Sequence, residues 1–165
     1  MAWIEDLSTA WQREYPGLDT ATLPPMVRLA RLSLLIESFQ QAVLAPFELS
    51  SGDYGALAAL RRAGAPYELT PSELYGRLQR SSGGMTKILK RLEDQGLVGR
   101  TPDPSDGRGS VVSLTEAGLE VQEQVFNAFL SATQDLLDPL SATKLRETDR
   151  VLQGLLETME ARLPR

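Results

Sequence analysis

The sequence predicts a mainly α-helical chain in which two short, closely spaced helices and a two-stranded β-ribbon are flanked by longer helices. Three observations carry that expectation. Thr70-Pro71-Ser72-Glu73 combines an N-cap, a proline at the first helical position and a carboxylate at the third, so a helix starts there and ends before Ser81 and Ser82 offer a second cap. Leu97 to Thr101 and Ser110 to Leu114 read as short strands around the turn PDPSDGRG. Leucine-rich stretches with helical spacing stand before and after this unit.

Taken in chain order, residues 1–15 form an amphipathic helix with Trp3, Leu7 and Trp11 four apart, closed by Pro16 and Gly17. Residues 18–23 are a linker. Pro24 and Pro25 suit a helix start, and Val27, Leu29, Leu32, Leu34, Leu35, Ile36, Phe39 and Val43 populate more than one face before Pro46 ends it. A helix this apolar needs partners on more than one side. Ser50 and Asp53 have capping-box spacing, and Tyr54, Leu57 and Leu60 continue as a stripe that stops near Gly64 and Pro66. In the short pair, Leu74 and Leu78 point inward; then Met85, Ile88, Leu89 and Leu92 mark one face and Thr86, Lys87, Lys90 and Arg91 the other, with Gly96 as the stop. Thr115 caps a helix carrying Val121, Val125 and Phe129 that Pro139 breaks. Ser141 caps a final helix with Leu145, Leu152, Leu155, Met159 and Leu163. The domain organisation expected is an N-terminal extension and linker over 1–23, dimerisation helices over 24–49 and 116–165, and a helix-turn-helix with its ribbon over 50–115.

Composition narrows the function. At 165 residues the chain is about one domain long. No apolar run approaches the ~20 residues that span a bilayer, and the acidic N-terminal segment lacks the features of a secretory signal, so a cytoplasmic address is expected. Without cysteine there is no disulfide framework and no thiol sensor; without histidine, any metal site would need carboxylates and carbonyls, and Ser-His or Cys-His catalysis is excluded. Neither a cofactor nor a metal is implied. The net charge of −5 conceals an asymmetry: Leu74 to Arg91 holds Arg77, Arg80, Lys87, Lys90 and Arg91 with no acidic residue, leaving −10 on the rest. An isolated charge run is ordinarily a solvated face. On the second helix of a capped helix-turn-helix, Thr86, Lys87, Lys90 and Arg91 would face the major groove of duplex DNA.

The capped pair with the ribbon behind it makes a winged helix. The stretch ELTPSELYGRLQRSSGGMTKILKRLEDQGLVGRTPDPSDGRGSVVSLTEAG, Glu68 to Gly118, resembles the DNA-binding region of the MarR family. KRLEDQGLVGR and DPSDGRGSVVSLTEAG are its most specific parts, and the flanking helices match in pattern only. The resemblance implies a homodimeric, mostly helical transcriptional regulator, more often a repressor, with interlocking terminal helices and often a small-molecule pocket between the dimer and DNA-binding regions.

Candidate DNA-binding residues are Ser81, Ser82, Gly83, Gly84, Thr86, Lys87, Lys90, Arg91, Asp106 and Arg108. Gly83 and Gly84 stand where many family members carry larger side chains; they permit close backbone approach to phosphate and remove two potential base readers. Arg or Lys can read guanine, while Ser and Thr serve phosphates or several base edges. Arg91 could equally sit on the backbone side. Arg108 would enter or flank the minor groove while Asp106 holds the turn or a neighbouring arginine such as Arg100; turn chemistry alone is the plainer reading of both. SSGGMTK lacks phosphate-loop spacing, and Glu93 and Asp94, adjacent on a helix, point apart and cannot form an acid/base pair, so no catalytic residue is expected. The aromatics Phe39, Phe47, Tyr54 and Tyr67 are candidates for an effector pocket, although such residues are more often core. The expected partners are a pseudo-palindromic duplex, a second copy of the chain and a small aromatic or amphipathic effector. The competing reading is a winged helix used for dimerisation or protein interaction without DNA.

Overall fold

The structure, a computed structural model, describes residue 4 and residues 6–78, 82–102 and 109–163, without the side chain of Ser82. Its elements run α1 (Leu7–Glu14), α2 (Leu23–Leu44), a 3-10 turn (Ala45–Phe47), α3 (Ser51–Ala63), β1 (Glu68–Leu69), α4 (Pro71–Leu78), α5 (Ser82–Asp94), β2 (Val98–Pro102), β3 (Ser110–Leu114), α6 (Glu116–Leu137) and α7 (Ala142–Arg162). Two compact units result, Met1–Val125 and Phe126–Arg165. Among the described residues no helix is long and apolar enough to cross a membrane.

Local chemistry sets most boundaries. At α3, Ser50 Oγ accepts from Asp53 N at 3.2 Å while the Asp53 carboxylate accepts from Ser50 N at 2.8 Å, a complete capping box. At α4 the same reciprocal pair joins Thr70 and Glu73, with Thr70 N donating to Glu73 Oε2 at 2.8 Å and Glu73 N to Thr70 Oγ1 at 3.3 Å. Ser141 caps α7 through Lys144 N. Gly96, at φ 71, takes the left-handed conformation that ends α5 without a Cβ clash.

The sheet differs from the two-stranded ribbon expected from sequence. It has three antiparallel strands in the order β1-β3-β2, with Val98 opposite Leu114 and Pro102 opposite Ser110 in the wing pair. The added strand, β1, is two residues long, Glu68 facing Ser113 and Leu69 facing Val112. Two residues cannot display a period of two, so nothing in the sequence marks them as a strand.

The core lies almost wholly between Leu44 and Val125. Leu57 and Leu60 of α3, Leu74 of α4, Met85, Leu89 and Leu92 of α5, and Val112 of β3 are fully buried. Each contributes about 1.5–3 kcal/mol by leaving water, so this cluster dominates the stability of the first unit. α2 contributes only Leu44 to that core, and Leu32, Leu34, Leu35 and Ile36 stay exposed. Among its described residues the second unit buries no large side chain: Phe126, Leu130, Leu136, Val151 and Leu156 are all exposed. The expected terminal helix over 1–15 is described as Leu7–Glu14, where Trp11 is exposed and packs its ring on Tyr15 with centroids 5.7 Å apart; Trp3 lies outside the described residues.

Candidate nucleic-acid interface

α5 is strongly amphipathic and sorts its residues as the spacing requires. Met85, Ile88, Leu89 and Leu92 are buried, whereas Gly83, Thr86, Lys87, Lys90 and Arg91 are exposed. Gly84 is partly buried. A Cβ built on Gly83 would meet nothing within 4 Å, so the fold itself does not demand glycine there. Packing sets the helix against α3 at one tight point: a Cβ on Gly52 would come within 2.7 Å of Ile88 Cδ1.

The cations of this face are not equivalent. Arg91 donates from Nε to both Asp53 carboxylate oxygens at 3.0 Å, and from Nη2 to Asp53 Oδ1 and to Ser50 Oγ. Asp53 is 1% exposed, so Arg91 supplies the counter-charge for a carboxylate inside the core and ties α5 to the capped start of α3. Lys90 Nζ rests between the two oxygens of Asp94, at 3.2 and 3.0 Å, with both side chains largely in solvent. Arg100 Nε on β2 pairs with Glu93 Oε1 at the end of α5, so the arginine offered by the sequence to Asp106 is engaged by α5. Lys87 has no carboxylate partner among the described residues. Ser81, the Ser82 side chain, Asp106 and Arg108 lie outside the described residues.

The far end of the unit is joined closely as well. Thr115 Oγ1 donates to the Gly96 carbonyl at 2.7 Å and accepts from Gly118 N at 3.0 Å. Thr115 N donates to Leu97 O at 3.2 Å. Gly118 is buried against that same Leu97 carbonyl, where a Cβ would overlap the oxygen.

A cavity of about 570 Å³ opens beside α5, walled by Glu37 and Gln41 of α2, by Ser50 to Gly52, and by Gly84, Lys87 and Arg91. None of the four aromatics singled out in the sequence lines it. Phe39, Phe47, Tyr54 and Tyr67 are each partly buried. Tyr67 lies under the Arg61 guanidinium, 5.0 Å from its ring centroid, and burial raises the Tyr54 hydroxyl above its ordinary pKa of 10.0 against a smaller opposing pull from Arg62. Sequence spacing could have found the Lys90–Asp94 pair, which is i,i+4. Nothing local announces Asp53 as the partner of Arg91, 38 positions away.

A capped helix pair, a cationic second helix and a strand pair bracing its end define a winged helix-turn-helix protein. The MarR family profile matches residues 47–109. The HTH-type transcriptional regulator PecS of Dickeya dadantii is 32% identical over 160 residues, covering 97% of this chain and 94% of the relative. The multiple antibiotic resistance protein MarR of Escherichia coli is 31% identical over 114 residues, 68% of this chain and 77% of the relative. A crystal structure of an Escherichia coli MarR mutant complexed with operator DNA superposes with a TM-score of 0.70 at 28% identity, covering 80% of this chain and 94% of that one. The chain belongs to the MarR family.

Proposed function

We propose that this regulator, a sequence-specific DNA-binding protein, acts as a homodimeric repressor in the cytoplasm, with no catalytic activity of its own. The exposed Thr86-Lys87-Lys90 face of α5 carries the reading, because its opposite face is fixed in the core and the helix therefore presents those three side chains as one surface. Lys87 and Lys90 reach the major groove, Thr86 serves a phosphate or a base edge, and Ser81, Ser82, Gly83 and Gly84 let the start of the helix approach the backbone. Arg108 at the wing reaches the minor groove and Asp106 holds its turn. Arg91 acts from behind, as a brace rather than a reader. The exposed apolar residues of α2 and of the second unit support pairing with a second copy, which gives the operator its two-fold symmetry. The cavity beside α5 supports an effector site: a small aromatic or amphipathic anion there would meet Lys87 and Arg91, which also belong to the recognition helix.

An electrophoretic shift with duplex from the protein's own upstream region tests the reading. A discrete dimer complex that survives excess scrambled duplex is expected. A chain that pairs with itself but shifts no duplex would instead be a protein-interaction module.

A further inference from the structure

The Lys90–Asp94 pair contributes little to the fold. Asp94 is the last residue of α5, where a carboxylate faces the negative end of the helix dipole. The lysine precedes the acid at i,i+4, the weaker of the two orientations. Both side chains are mostly solvated, 73% and 64% exposed, so the pair braces nothing, unlike Arg91 on buried Asp53. Its geometry is nonetheless specific, with Nζ within 3.2 Å of both carboxylate oxygens. The pair sets the Lys90 ammonium beside a carboxylate on the face assigned to DNA.

We propose that Asp94 is a positioning residue of the DNA interface: by clamping Lys90 it withholds that cation from phosphates of arbitrary sequence and so sharpens discrimination for the operator. This rests on the reading of α5 as the recognition helix. Free lysine ammonium is a point charge that takes any phosphate within reach, and each phosphate neutralised releases counterions regardless of sequence. A carboxylate beside it cancels most of that gain on a random duplex. On the operator, where the docked helix presents Lys90 to a fixed acceptor, the clamp has already restricted the side chain that must be ordered. Lys87, without a described carboxylate partner, carries the uncompensated charge of the helix, while Asp94 sets how much of Lys90 is added to it.

The test uses the full-length dimer, the protected upstream duplex and a scrambled duplex of equal length, titrated by fluorescence anisotropy over a range of salt. Asp94→Asn should bind the scrambled duplex about three- to tenfold more tightly, with a log–log salt slope steeper by about 0.9. Operator affinity should rise less, so the ratio between the duplexes falls, while thermal stability is unchanged and Asp94→Glu keeps the original ratio. An unchanged slope, or an equal gain on both duplexes, overturns the proposal. Lys87→Ala separates its failure from that of the interface: removing that uncompensated cation should flatten the scrambled-duplex slope by about 0.9. If it does so while Asp94→Asn changes nothing, only the clamp is wrong; if Lys87→Ala leaves the slope untouched, α5 does not meet DNA as assigned and the clamp falls with it.

Discussion

Replacing Arg91 with alanine separates bracing from reading on the same helix. The Asp53 carboxylate is 1% exposed and accepts from Arg91 Nε on both oxygens, from Ser50 N at 2.8 Å and from Ser50 Oγ at 2.7 Å. Removing one partner of a fully buried pair costs ~3–5 kcal/mol, because a charge is left without a counterpart. Here the two Ser50 bonds remain, and the arginine side chain is 46% exposed, so water can reach the vacated side. Both effects pull the cost down, to about 2–3 kcal/mol. At roughly 2–4 °C per kcal/mol for a chain of this size, Arg91→Ala should melt about 5–10 °C below the parent. Lys87→Ala, with no described ion pair to lose, should melt within about 2 °C of it. Calorimetry at one fixed protomer concentration is the assay, since dimer melting depends on concentration. An Asp53→Ala and Arg91→Ala double-mutant cycle should return a coupling of about 1.5 kcal/mol or more. If Arg91→Ala melts with the parent yet loses operator binding, Arg91 touches DNA and the bracing argument is refuted.

Gly118→Ala should destabilise by about 1–3 kcal/mol in urea unfolding, because the new Cβ meets the Leu97 backbone carbonyl; Gly76→Ala in α4, where nothing lies within 4 Å, should gain up to about 1 kcal/mol. Equal effects at the two positions would show that the approach of α6 to Leu97 is looser than described. Arg108→Ala should leave thermal stability within about 0.5 kcal/mol and weaken operator binding by roughly 1–3 kcal/mol, most on A·T-rich flanks. Unchanged affinity at physiological salt would return Arg108 to a solubilising turn residue.

What the sequence discloses follows the range of the interactions involved. The boxes at Ser50–Asp53 and Thr70–Glu73 are spaced by three residues, so their helix starts can be read directly, and both form. Ser110–Leu114 is a strand with the bounds expected, because five residues suffice to show alternation. β1 is too short for that, and it exists only because β3 offers it an edge: Leu114 N also donates to Tyr67 O at 3.2 Å, just before β1 begins. The exposed face of α5 was equally readable from the positions of its leucines. Which of its cations are committed elsewhere was not, since Asp53 lies two helices earlier and Arg100 across the turn at Gly96. Aromatic residues gave the weakest guide, because a ring marks apolar surface without saying whether the surface is core, cavity or interface.

The ion pairs around α5 show how that helix is held. Three described carboxylates on or beside α5 are paired with cations: Asp53 with Arg91, Asp94 with Lys90 and Glu93 with Arg100. Two of the three join different elements, and both tie α5 to its neighbours, to the start of α3 and to β2. The third anchor is uncharged. Thr115 reaches the Gly96 carbonyl that ends the turn after α5, and Gly118 brings α6 against Leu97, so the helix running on from Glu116 to Leu137 begins on the backbone that joins α5 to β2. A shift of the first turn of α6 must therefore move Gly96 and Leu97, or break the hydrogen bonds that Thr115 makes to them. Arg91 on Asp53, Glu93 on Arg100 and the Thr115 bonds to the turn after α5 each fix part of the backbone around this helix, and a fixed backbone is what sequence-specific contact demands, because a base edge is read only by a side chain held in place.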